Sequence, residues 1–109
     1  MLQDDGTLLH VLNAARQSLA FLAGADLTEF LEDEKTQSAV LHQLLVLGEA
    51  VKRLSDDFRL KNPGIPWRKV AGLRDVLIHE YDTVDVEEVW RTVSFDLPDL
   101  IRDLERLRS

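Results

Sequence analysis

The sequence predicts an all-α fold, an antiparallel bundle of four helices, on three observations. Apolar residues recur at steps of three and four over long stretches, and no stretch keeps the period-two alternation of a strand. Glycine, proline or an aspartate-led capping pattern stands at the breaks between stretches. Hydrophobic residues make up 45% and charged residues 30%, the balance of a globular chain rather than a disordered one. With 109 residues the chain is long enough for one domain over 1–109 with no linker, and short enough that pairing of subunits would help its stability.

Asp4 and Asp5 are N-cap candidates for a first helix, in which Leu8, Leu12, Ala15, Leu19 and Leu22 form a narrow apolar seam that Gly24 can end. An acidic connector follows over 25–35, whose Leu27, Phe30 and Leu31 suit one short extra helical turn across the bundle end. Its carboxylates Glu29, Glu32, Asp33 and Glu34 read as a solvated loop ahead of a metal site. Thr36 or a neighbour caps a second, longer helix that buries Val40, Leu41, Leu44, Leu47, Val51, Leu54 and Phe58, with Pro63 beyond its end. Gly48 lies inside that helix, where glycine costs roughly 1 kcal/mol against alanine, and this points to close approach of another backbone.

Asn62 to Pro66 form a rigid turn, and Pro66 suits the first turn of a third helix because its missing N–H is no loss there. Trp67, Val70, Leu73, Leu77 and Ile78 are the core candidates along it. Asp85, with Glu88 three residues later, gives a capping box for the last helix. The seam of that helix runs through Val86, Trp90, Val93, Leu97, Leu100, Leu104 and Leu107. Pro98 interrupts it, so either the helix kinks there or Asp96 caps a fresh segment.

No apolar run is long enough to cross a bilayer, no basic region and apolar block open the chain, and there is no cysteine, so a reducing cytoplasm is the simplest home. A net charge of -7 weighs against a nucleic-acid partner, but its distribution weighs the other way. From Lys52 to Arg74 seven bases face two acids, a local +5, which leaves -12 for the rest. That segment reads either as a solvated helix face or as a surface that tracks phosphates.

The chemistry-bearing stretch is L-R-D-V-L-I-H-E-Y, Leu73 to Tyr81. The Arg74 guanidinium binds phosphate oxygens in a fork, and the His79 imidazole moves protons near neutrality. On an ideal helix five residues turn through roughly 500° and rise about 7.5 Å, so the two point about 140° apart, although a long arginine that swings round and a histidine at the helix end could still line one cleft. Asp75, four before His79, shares its face and could accept a hydrogen bond from the ring. From this loose spacing alone, an exposed histidine and a surface arginine remain the simpler reading. No histidine follows a carboxylate at Glu-x-x-His spacing, and H-E-Y-D-T has Thr83 where a zinc-protease motif needs its second histidine. Glycine-rich phosphate loops and G-x-S-x-G are missing too, so neither a metal nor a cofactor is expected. Trp67, Trp90 and Phe58 keep core spacing and read as packing rather than base-stacking platforms.

Six blocks stand in order along the chain: F-L-E-D-E at 30–34, G-E-A at 48–50, I-P-W-R at 65–68, G-L-R-D-V-L-I-H-E-Y from Gly72, V-D-V-E-E-V-W ending at Trp90, and D-L-P-D-L at 96–100. Together they resemble the HepT-like branch of the HEPN superfamily over nearly the whole chain. The resemblance implies a compact helical bundle that dimerises. It also implies a metal-independent toxic ribonuclease encoded beside a minimal nucleotidyltransferase antitoxin. By position, the R-x-x-x-x-H-x-Y motif falls on Arg74, His79 and Tyr81, with Asp75 in the polar place after the arginine. The expectation is that arginine and histidine from two protomers converge on one cleft and cut RNA, and that Tyr81 accepts AMP from the antitoxin. Lys52, Arg53, Arg68 and Lys69 would then hold the RNA backbone. The alternatives are a non-catalytic subunit that presents substrate to a nucleotidyltransferase or regulates it, and a purely structural helical dimer.

Overall fold

The computed structural model describes residues 2–79 and 83–108. Helix α1 (Leu2–Leu22) starts ahead of its predicted caps. Asp4 sits in the first turn and is buried rather than capping. Its carboxylate accepts the Ser55 backbone N–H at 2.9 Å and the Ser55 hydroxyl at 2.7 Å. These two bonds, the backbone one foremost, hold Asp4 below the ordinary carboxylate range. The buried face is wider than the predicted seam, since Val11, Ala14 and Ser18 join Leu8, Leu12, Ala15 and Leu22. Ser18 is admitted because its hydroxyl donates to the Ala14 carbonyl at 3.0 Å. The helix stops in two left-handed residues, Ala23 at φ 52° and Gly24 at φ 72°.

Helix α2 (Leu27–Leu31) is the expected short turn, closed by a reciprocal capping box between Asp26 and Glu29. Phe30 is fully buried beneath it, and Leu31 stays half exposed. Helix α3 (Glu34–Lys52) is capped by Asp33, which accepts the hydroxyl and the N–H of Thr36. The predicted long second helix does not reach Phe58. Ser55 breaks it by capping a separate helix α4 (Asp56–Lys61), its hydroxyl accepting the Phe58 N–H at 3.1 Å. Because Leu54 is still buried and Phe58 packs against Trp67, the apolar pattern runs straight through the break and conceals it.

Helix α5 (Trp67–His79) follows Pro66, whose carbonyl accepts the Val70 N–H at 3.1 Å, so the proline stands just ahead of the first turn rather than in it. Trp67 pins the turn by donating its ring N–H to the Asn62 carbonyl at 2.9 Å. Ala71 and Leu77 are buried along α5, whereas Ile78, an expected core residue, is exposed.

Asp85 caps helix α6 (Val86–Arg91) by accepting the Glu87 and Glu88 N–H groups. A π-helical turn (Thr92–Asp96) then leads into helix α7 (Leu97–Arg108). Asp96 caps no fresh segment, because the Leu97 N–H reaches back to the Thr92 carbonyl and the backbone stays helical. The widened turn lies just ahead of Pro98, which has no N–H and whose ring would strike the Ser94 carbonyl in a regular helix.

Four rods, α1, α3, α5 and α6 to α7, form the antiparallel all-α bundle, with α2 as the extra turn. Helix α3 is its spine and packs against α1 and α5, while α7 closes on α1. Full burial of one leucine contributes roughly 1.5–3 kcal/mol, far more than an exposed ion pair, so residues such as Leu12, Leu44, Leu47, Leu97 and Leu104 hold the bundle. Among the described residues there is no strand and no helix long and apolar enough to cross a membrane.

Candidate active site

The site begins at Gly48. A Cβ there would lie 2.7 Å from the Arg74 backbone nitrogen and 2.8 Å from the Arg74 Cβ, so only glycine lets α5 settle this deeply on α3. The backbone admitted is that of Arg74, which fixes where its side chain leaves the helix. The Arg74 side chain is 36% exposed and its guanidinium is held from two sides, with Nε 3.5 Å from Glu49 Oε1 and Nη1 3.2 Å from Asp75 Oδ1. Asp75 Oδ1 also accepts Lys52 Nζ at 2.8 Å. Lys52 first and Arg74 second hold the Asp75 carboxyl below its ordinary range. Glu49, Arg74, Asp75 and Lys52 thus form a chain of alternating charge across α3 and α5. It orients the arginine while leaving part of it open to solvent.

His79 is the last residue of α5 and is exposed. The expected bond from its ring to Asp75 is not made; the Asp75 carboxylate accepts Lys52 and Arg74 instead, both on Oδ1. Helix α5 is regular as far as His79, so the two motif residues stay roughly 7.5 Å apart along the axis and on different faces. One chain alone does not bring them together. Tyr81 lies outside the described residues.

Lys52 and Arg68 line an open groove of about 670 Å³ between α4 and α5, together with Arg59, Gly72 and Asp75. Arg53 is exposed but outside it, and Lys69 lines a narrower groove against α7. Arg59 belongs to the basic segment read from the sequence but was not singled out there among the RNA-backbone candidates. The signal that could have found it is Ser55, since a cap there turns Arg59 off the α3 axis and into the groove wall. Among the described residues no group of histidines and carboxylates could hold a metal ion.

Residues 11–107 match the family described as "Ribonuclease HepT-like". The chain belongs to that family. It is 49% identical over 81 residues to "Probable ribonuclease HepT" of Thermococcus cleftensis, covering 74% of each chain. It is 40% identical over 100 residues to "Putative RNase MJ0127" of Methanocaldococcus jannaschii, covering 92% of this chain and 83% of the relative. No solved structure matches it.

Membership of the HepT-like family supports a ribonuclease function. Such an enzyme needs a fixed cation for phosphate oxygens and a group that moves protons. Arg74 is a fixed cation here, and His79 is an accessible imidazole on the same helix.

Proposed function

We propose that this chain is a metal-independent endoribonuclease, the toxin of a toxin–antitoxin pair, and that it works as a homodimer. The ribose 2′-hydroxyl attacks the adjacent phosphorus, so a 2′-O–P bond forms and the P–O5′ bond breaks. The products are a 2′,3′-cyclic phosphate and a 5′-hydroxyl. His79 moves the proton between the attacking and leaving oxygens, and Arg74 stabilises charge on the non-bridging oxygens. The observation that carries this reading is the partly exposed Arg74 side chain, aimed by the Gly48 contact and by Glu49 and Asp75.

Because Arg74 and His79 diverge within one chain, two chains supply the working set across their interface. The exposed Val76 and Ile78 on α5 offer apolar surface for that pairing. Lys52, Arg53, Arg68 and Lys69 lead the RNA backbone along the basic segment. A minimal nucleotidyltransferase antitoxin in the same cytoplasm silences the enzyme by placing AMP on Tyr81, which adds bulk and negative charge near Arg74. The test is to incubate purified protein with total RNA in excess chelator beside His79→Ala. Cleavage by the parent alone is expected, and no cleavage by the parent, or equal cleavage by the variant, overturns the proposal.

A further inference from the structure

A glycine inside a helix needs a reason, because glycine is the poorest helix former after proline. At Gly48 the reason is the Arg74 backbone. Gly72, in the middle of α5, has none among the described residues. A Cβ built on it meets no heavy atom within 4 Å, and its backbone is not left-handed. The space left bare belongs to the groove between α4 and α5.

Ala71 and Gly72 give that groove a smooth floor, the edge of Trp67 adjoins it, and the exposed Leu60 forms a lip. Its cations are unevenly engaged. Arg68 has no ion pair or hydrogen bond among the described residues, and Arg59 pairs with Asp56 while its Nε is buried without a partner. Lys52 and Asp75 line the same groove and connect it to Arg74.

We propose that this groove is a subsite for one nucleotide of single-stranded RNA beside the scissile linkage, an inference that rests on the ribonuclease reading. Arg68 and Arg59 take the phosphate oxygens, and the bare Ala71 to Gly72 backbone takes the flat face of the sugar and base. A base can lie on a helix surface in this way only when it is unstacked, which selects single strands. Charge decides the occupant. With -12 spread over the rest of the chain, a polyanion can approach only where the bases gather. A second copy seated here would set the same cations face to face.

The experiment measures binding of a short single-stranded 2′-O-methyl RNA, which lacks the attacking hydroxyl, by fluorescence anisotropy across a salt series. Parent, Gly72→Ala, Gly72→Phe and Arg68→Ala are compared, with folding followed by circular dichroism, subunit mass by light scattering, and cleavage of unmodified RNA alongside. Gly72→Phe removes no charge, yet should weaken binding about tenfold or more at unchanged mass, while Gly72→Ala keeps most of it. Arg68→Ala should weaken binding and lower the salt slope by about one. If both variants bind like a parent that cleaves normally, the subsite is overturned and the ribonuclease reading stands. A parent that neither binds nor cleaves overturns both. A Gly72→Phe protein of altered mass makes the groove an interface between copies and overturns the subsite. Should Gly72→Phe fail to fold, unchanged binding and salt slope in Arg68→Ala overturn it.

Discussion

Gly48→Ala tests how the bundle aims its arginine. The added methyl carbon would sit 2.7 Å from the Arg74 nitrogen, 2.8 Å from its Cβ and 3.2 Å from its Cα. Relaxed contacts of this kind need about 3.5 Å or more, so α5 must retreat from α3 by roughly 0.5–1 Å. Two of the three obstructing atoms are backbone, so no side-chain rotation relieves the clash. Overpacking of this kind costs about 1–3 kcal/mol, and the gain in helix propensity returns only about 1 kcal/mol of it. A net loss of up to about 2 kcal/mol corresponds to a Tm lower by up to roughly 8 °C in a domain of this size. Thermal melts by circular dichroism read that shift directly. RNA cleavage should fall further than stability explains, since a displacement near 1 Å carries the guanidinium off its target. A variant as stable and as active as the parent would refute the reasoning.

Gly72→Ala should have the opposite sign and raise stability by up to about 1 kcal/mol, because its Cβ enters open space; a lower Tm would contradict this. Asp4→Asn should lower Tm at neutral pH. The Asp4 carboxyl is held below its ordinary range when folded, so its stabilisation is present above that range and is lost as pH falls through the folded value. The gap between parent and variant should therefore close in acid, and a gap independent of pH would contradict the assignment. Arg74→Lys should keep the fold, since the Gly48 contact is with backbone and Cβ, yet lower kcat/KM about a hundredfold or more because a point charge replaces a fork. Activity within a few-fold of the parent would argue against the role given to Arg74.

The period of the apolar residues made the helices legible, and Gly48 announced the approach of a second backbone before its identity was known. What stayed hidden are decisions between local and distant partners. Asp4 looks like a cap, and only the fold brings Ser55 to it, 51 residues away. Leu54 and Phe58 keep the helical period of α3, so the Ser55 break is invisible to periodicity. Asp75 is spaced for His79, yet its partner from outside the helix is Lys52 of α3, a contact that spacing along one helix cannot reveal. Arg74 and His79 were legible as chemistry. Their divergence followed from helix geometry alone, whereas the pairing of two chains in the proposed enzyme was legible only through the family resemblance.

The most direct test of the central claim is the chemistry of the ends. Incubation with a defined RNA should yield fragments with 2′,3′-cyclic phosphate and 5′-hydroxyl termini. The same RNA with every 2′-hydroxyl methylated should remain intact, and neither Arg74→Ala nor His79→Ala should cut either one. Fragments bearing 5′-phosphates, or cleavage of the methylated strand, would contradict attack by the ribose hydroxyl at an arginine and histidine site.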